Sequence, residues 1–379
     1  MKRIASFILI AVLLVSAAWA EAPEVRAVSG NRLGFELLAE LSDGSANQIV
    51  SPLSLAYALA MAAQGAEGET RDQLLAALEL ENAADLAEWN APLMEAGLRI
   101  ANGAFLTGLI APEADYVAAL RDAFGAEWFA PDGDVAERVN AWVAEHTDGM
   151  IEKIIDGGLS QDTALVLVNA IAMDAQWEKV FRPWKTEETT FHTPDGDVTV
   201  QMMRDNGRFL DYGERDGVQM IKLDYADSSL ALYLALPEQG GLDALLEVLR
   251  DEGMEFFQFE EEQPCVNLGL PKLDISADNA LKDALAALGV EAAFTRDADF
   301  SGISKEADLE IGEVLQKVRL IFDEEGTRAA AATAAMMEFA ALPVPMREMI
   351  FDRPFVAVIA DQESGAVCFA AAICDPTAS

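Results

Sequence analysis

The chain has 379 residues, 52% hydrophobic and 24% charged, a balance that excludes a disordered chain and suffices for one large core. Asp and Glu number 65 against 26 Lys and Arg, and the formal net charge of -39 sets the surface against phosphate backbones and anionic headgroups. Nucleic-acid partners and membrane docking are not expected. With two histidines and three cysteines, neither is a His-rich metal site or a His-based catalytic machine.

The amino terminus opens with Met1, Lys2 and Arg3, followed by an apolar run over residues 4–18 and the small-bulky-small triplet Ala18, Trp19, Ala20. That order reads as an export signal, residues 1–20, cleaved after Ala20 to release a secreted or periplasmic chain. The run is short for a membrane span and no basic stop-transfer flank follows it. Export permits disulfides, yet Cys265, Cys368 and Cys374 make an odd count. The last two are expected on one strand, six residues apart and too far to bond, so three free and mostly buried thiols are expected.

Helices come next. Leu33, Phe35, Leu37, Leu38 and Leu41 give an amphipathic helix from Asn31. Ser51 caps an Ala-rich helix with Pro52 in its first turn, ending near Gly65. Thr70, with Gln73 three residues on, predicts a capping box. Val139, Trp142 and Val143 mark one face of a helix over 137–146.

Strands then dominate. The run TALVLVNAIA, residues 163–172, is apolar enough for a strand buried on both faces. Further strands are predicted at 218–225, 230–236, 266–273, 314–322, 355–360 and 366–373, with helices at 242–249 and 279–288. His146 falls near a helix end and His192 in a polar turn, neither near a nucleophile. Without a linker or repeat, the chain reads as one α+β domain over residues 21–379.

One segment stands apart: EEGTRAAAATAAMMEFAALPVP, residues 324–345. Alanine favours helix, while Gly326 and the threonines weaken it and Pro343 and Pro345 end any regular structure. An Ala-rich helix, a flexible linker and low-complexity sequence all remain open from composition.

The order of motifs adds a resemblance. Ser51-Pro52-Leu53-Ser54 leads to Gly65-Ala66-Glu67-Gly68-Glu69-Thr70. Asn140-Ala141-Trp142-Val143, Thr147-Asp148-Gly149 and Val168-Asn169-Ala170-Ile171 follow, then Trp177, Phe181, Thr186 and Phe191. Val200-Gln201-Met202-Met203, Leu270-Pro271-Lys272-Leu273 and residues 298–303 (ADFSGI) come next. Asp323-Glu324-Glu325-Gly326-Thr327, Arg353-Pro354-Phe355, Phe369 and Pro376 complete the set. In this order over residues 31–376 the chain resembles the serpin family.

The resemblance implies three β-sheets, eight or nine helices and an exposed reactive-centre loop at about 324–345, held as bait for a serine protease. Once attacked, the loop's first half would insert as a new strand in the central sheet and distort the tethered protease. The hinge would be Glu324, Glu325, Gly326 and Thr327, with Thr327, Ala329, Ala331, Thr333 and Ala335 facing the core. All five are small, as burial there requires, because a charge or large ring would cost several kcal/mol. Arg328 falls in the solvent register. Ser51, Ser54, Asn169 and Gln316 would form the polar cluster that controls sheet opening, Gln316 standing where the family has His, and Trp177 would lie where insertion begins.

Counting from Glu324 places the cleaved bond between Ala340 and Ala341, which suits elastase-like or subtilisin-like proteases. Cleavage after Phe339 would instead suit chymotrypsin-like ones, and a cysteine protease target is a further alternative. No Lys or Arg lies between Ala329 and Val344, which disfavours trypsin-like targets. Residues 82–97, where serpins may carry a basic heparin-binding helix, hold no Lys or Arg. A monomer with no cofactor, metal or heparin is expected. Of the other classes, an enzyme lacks a motif, and a non-inhibitory serpin acting as a binding module conflicts with the small-residue hinge.

Overall fold

In a computed structural model of the chain, residues 30–260, 262–327 and 346–378 are described. The expected export segment and residues 328–345 of the Ala-rich segment lie outside them. Among the described residues there are eight α-helices: α1 (Asn31–Leu41), α2 (Pro52–Ala63), α3 (Gly68–Ala77), α4 (Asp85–Glu95), α5 (Ala114–Phe124), α6 (Val135–His146), α7 (Leu242–Glu252) and α8 (Lys282–Ala287). None is long and apolar enough to cross a membrane.

The first strands are β1 (Gln48–Val50), β2 (Leu98–Leu106), β3 (Glu127–Phe129), β4 (Leu165–Met173), β5 (Ala175–Gln176) and β6 (Glu187–Thr193). Next come β7 (Gly196–Phe209), β8 (Asp211–Arg215), β9 (Val218–Asp224), β10 (Leu230–Leu236), β11 (Cys265–Pro271) and β12 (Leu273–Ala280). The last are β13 (Leu315–Phe322), β14 (Gly326–Thr327), β15 (Met346–Ile350), β16 (Phe355–Asp361) and β17 (Val367–Ile373).

Two sheets are whole. One has six strands in the order β1-β17-β16-β10-β9-β8, the other four in the order β15-β11-β7-β6. The third layer is divided into β3-β2-β4, the pair β12-β13 and the short pair β14-β5. Helix α2 runs beneath it: Ser51 Oγ accepts the N–H of Ser54 at 3.3 Å, Pro52 fixes the first turn, and ten of its twelve residues are buried. A smaller apolar cluster holds α6 on β2 and β4 through Val139, Trp142, Val143, Phe105 and Val168.

Several local expectations are corrected. Thr70 lies inside α3 and does not cap it; its hydroxyl accepts the N–H of Asp299, and Gln73 accepts those of Glu291 and Ala292. Both side chains fasten a distant segment to α3, a tertiary use that outranks the local box. The strand expected over 266–273 breaks at Lys272, where the chain passes from β11 into β12 and changes sheet. Asn279 belongs to β12, not to a helix: its Nδ2 donates to Ile49 O at 2.7 Å, and α8 starts only at Lys282. His192 lies in β6, bonded to Asp197 across the hairpin. The three thiols are free and buried. Burial pushes the Cys374 thiol up to about 12, and Cys368 still higher, so neither is a nucleophile at neutral pH.

Candidate functional site

β4 and β13 face each other across the divided layer, and among the described residues no ladder joins them. Each spends its other edge: β4 pairs along nine residues with β2, and β13 along eight with β12. The parting between them is floored by Ser51, Ser54 and Phe369 and roofed by Val143, Met150, Ile151 and Ile154. It leaves a cavity of about 40 Å³, room for a few water-sized groups. Facing edge strands normally pair or are covered, since their free N–H and C=O groups are an invitation to another strand.

At one end the chain has already turned into this slot. After β13, Asp323 makes a tight reversal: its carboxylate accepts the N–H groups of Glu325 (2.8 Å) and Gly326 (3.1 Å), and its own N–H donates to Gly326 O (3.0 Å). Gly326 and Thr327 then pair antiparallel with Gln176 and Ala175. A Cβ on Gly326 would stand 2.1 Å from Ala175 O, so only glycine fits this approach. Thr327 is 3% exposed, and its hydroxyl shares a 2.6 Å hydrogen bond with that of Tyr225, whose phenol burial holds well above its ordinary pKa.

Trp177 sits over this turn. Its ring stacks on Tyr225 at 4.8 Å, its indole N–H donates to Asp323 O, and its backbone N–H donates to Glu325 O. Phe181 N–H holds Glu324 O at 2.8 Å. The Glu324 carboxylate accepts from Thr186 Oγ1 at 2.8 Å and from Lys272 Nζ at 2.5 Å. Burial alone would raise its pKa; the Lys272 and Thr186 hydrogen bonds outweigh that and hold it below the ordinary carboxylate range. One carboxylate oxygen of Glu325 is buried with no partner among the described residues.

Of the four residues expected to control opening, the structure joins two directly. Gln316 Oε1 accepts the N–H of Ser51 at 3.0 Å while its Nε2 donates to Ser51 O at 2.9 Å, a two-point clamp from β13 to the start of α2. Ser51 Oγ donates to Cys368 O in β17, and Ser54 contributes its backbone N–H. Asn169 lines the same cavity from the β4 side and bonds away from the others, to Asn102 Oδ1 and Ala101 O; its own Oδ1 is buried without a partner among the described residues. Trp177 stands apart from these four, beside the hinge.

The expected residues Ala329, Ala331, Thr333, Ala335, Phe339, Ala340 and Ala341 lie outside the described residues. Sequence reading missed Asp323, Tyr225 and Asn102 as partners. Asp323 carried a usable signal, an Asp two residues before Glu325 and three before a glycine. Tyr225 and Asn102 carried none, because their roles depend on what lies across the sheet. Among the described residues no group of three or more His, Cys, Asp or Glu side chains could hold a metal ion.

Comparison with known proteins bears on the family and the fold. The sequence pattern of the serpin (serine protease inhibitor) family matches residues 28–376. An uncharacterised serpin-like protein of Thermococcus kodakarensis is 33% identical, over 94% of this chain and 86% of its own length. Alpha-1-antiproteinase S of Cavia porcellus is 34% identical, over 90% of this chain and 88% of its own. The crystal structure of the thermophilic serpin tengpin in its native state superposes with a TM-score of 0.83 at 27% identity, covering 92% of this chain and 93% of that one.

Proposed function

The chain belongs to the serpin family, and we propose that it is an inhibitory member, secreted or periplasmic and monomeric, that traps serine endopeptidases on its reactive-centre loop. The observation that supports this most is the parted layer: two strand edges, β4 and β13, that no ladder joins among the described residues, with the first two residues of a third strand already seated at one end.

Continuing that antiparallel register along β4 sets Ala329 opposite Met173, Ala331 opposite Ile171 and Thr333 opposite Asn169. Continuing the Asp323–Gly326 reversal along β13 sets Thr333 opposite Gln316 as well. The Thr333 hydroxyl thus arrives between Asn169, whose Oδ1 lacks a partner among the described residues, and Gln316. Alanine at the other inward positions adds little volume to a slot that must hold a strand at about 4.8 Å from each neighbour. Two new ladders at about 0.5–1.5 kcal/mol per hydrogen bond drive the insertion.

The chemistry belongs to the protease. Its serine oxygen attacks the carbonyl of Ala340, the Ala340–Ala341 peptide bond breaks, and the Ala341 amine leaves with a proton, so that an ester joins Ala340 to the enzyme. Insertion then carries the acylated enzyme with it and distorts its catalytic site before water cleaves the ester. Ala340 suits small apolar pockets, hence elastase-like or subtilisin-like targets.

The test mixes the mature protein with an elastase, a subtilisin and a chymotrypsin, followed by a denaturing gel and mass mapping. A complex that survives denaturation, with a released peptide beginning at Ala341, is expected. Cleavage without a complex, and without a gain in thermal stability, overturns the reading.

A further inference from the structure

α6 ends in a contact whose balance depends on one proton. His146, in the last turn, lies against the Trp142 ring with 4.2 Å between centroids, and its side chain is 27% exposed. Its Nδ1 stands 2.8 Å from Trp142 O, and its Nε2 stands 3.0 Å from Glu127 Oε1 on β3. The same Glu127 oxygen accepts the indole N–H of Trp142 at 3.0 Å. A carbonyl and a carboxylate only accept, so both ring nitrogens face acceptors. Neutral imidazole has one N–H and leaves the other contact lone pair against lone pair. Imidazolium donates at both, with its charge beside a carboxylate, on an indole face and at a helix C-terminus.

The other charged groups around α6 are few. β4 carries none, β3 only Glu127, and β2 only Arg99, which pairs with Asp148. On α6 itself Glu137 and Arg138 lie more than two turns back, Arg138 donating to Ala130 O and Asp132 O, and Glu145 adjoins His146. The segment after α6 adds Glu152, Lys153 and Asp156. That segment roofs the parting with Met150, Ile151 and Ile154. Asn140 Oδ1 straps it to α6 by accepting the N–H groups of Ile154 and Ile155, and Arg319 on β13 donates to Met150 O at 3.4 Å. Since α6 is packed on β2 and β4, parting β4 from β13 pulls against a cover fixed on both sides.

We propose that the proton on His146 is a latch on this cover. With it, α6 is held to β3 and the layer stays closed; without it, α6 lifts more readily and the parting widens. The charged ring makes both bonds, so the latch is complete at acid pH and is lost as pH rises through the imidazole range, about pH 5 to 8. Its bearing on trapping rests on the inhibitory reading above; the latch itself does not.

The test follows amide hydrogen exchange of α6 in the uncleaved protein at about pH 5.5 and about pH 8, corrected for the intrinsic rate at each. Wild type is compared with His146→Gln and with Glu127→Gln, which keeps an acceptor for Trp142 and removes the charge. The corrected opening of α6 is expected to rise about tenfold between the two pH values in wild type, and the rise is expected to vanish in both variants. His192, the other histidine, is bonded to Asp197 on the β6–β7 hairpin and is present in all three proteins, so it cannot account for a difference between them. A wild type without the rise overturns the latch, as does a rise that survives in His146→Gln. A second arm cleaves the loop and times the gain in thermal stability, which is expected to come more slowly at the lower pH in wild type and equally fast at both in His146→Gln. No gain at either pH overturns the inhibitory reading, and the exchange data then decide the latch alone.

Discussion

β16 and β17 run antiparallel through six paired positions, every residue of both buried, inside the six-stranded sheet. β4 is nearly as apolar, while β13 carries Gln316, Lys317 and Arg319 and buries only one face, in strict alternation, and among the described residues no ladder joins the two. The difference lies in what each strand carries at the seam. β16 and β17 meet through Val, Ala, Ile and Phe, which ask only for packing. β4 and β13 bring Asn169 and Gln316, and each is committed elsewhere, to Asn102 and to the backbone of Ser51. One sheet has spent its backbone hydrogen bonds; the other holds a set in reserve.

The sharpest way to break this comparison is at the first residue that draws on the reserve. Thr327→Arg puts a guanidinium where the side chain is 3% exposed, so β14 no longer seats and insertion stalls. Trapping should give way to plain cleavage, with the stoichiometry of inhibition rising by about tenfold or more; undiminished complex on a gel would show that the slot is not the working part. In the closed sheet, Phe355→Ala removes a fully buried ring that touches Phe191 and Phe351. It should lower unfolding free energy by about 4 kcal/mol and leave the trapping stoichiometry of the remaining folded protein unchanged.

A smaller effect is expected at the latch. Lys272→Ala leaves the nearly buried Glu324 carboxylate with Thr186 alone and should cost about 1–2 kcal/mol at neutral pH. Because the folded-state pKa of Glu324 is depressed, this contribution is present above the ordinary carboxylate pKa and is lost as pH falls through the folded value. Thermal melts of the two proteins should therefore converge below about pH 4. The gentlest change is Gln316→His. Neutral imidazole can still accept the N–H of Ser51, whereas the protonated form loses its acceptor. The variant's folded-state pKa is then depressed, and its stability should fall relative to the wild type as pH drops below about 6.5.

Most of this architecture is legible in sequence where a strand or helix is decided by its own residues. The apolar runs that became β4, β10, β16 and β17 announce themselves, as does the Ser51-Pro52 helix start, and Gly326 and Thr327 are small where the chain is buried in a tight place. The failures share a cause. Thr70 and Gln73 look like a local cap and instead hold residues 291–299; Asn279 looks like a helix start and instead bonds β1. A polar side chain's partner is invisible when it lies more than two hundred residues away. The parting itself is illegible for a stronger reason: among the described residues it is a ladder not made, and Asn169 and Gln316 show their commitments only once the chain is folded.

The two-residue pairing of Gly326 and Thr327 with Gln176 and Ala175 has a kinetic consequence. Starting a strand is the slow part of making one, since the ends must find each other before any bond rewards the search. Here the search is over in the resting protein. On the proposed mechanism, cleavage of the loop would release a zipper whose first teeth are engaged, and the contest with hydrolysis of the acyl-enzyme would become one of propagation alone. The protein is, in that sense, a clock stopped just after its first tick.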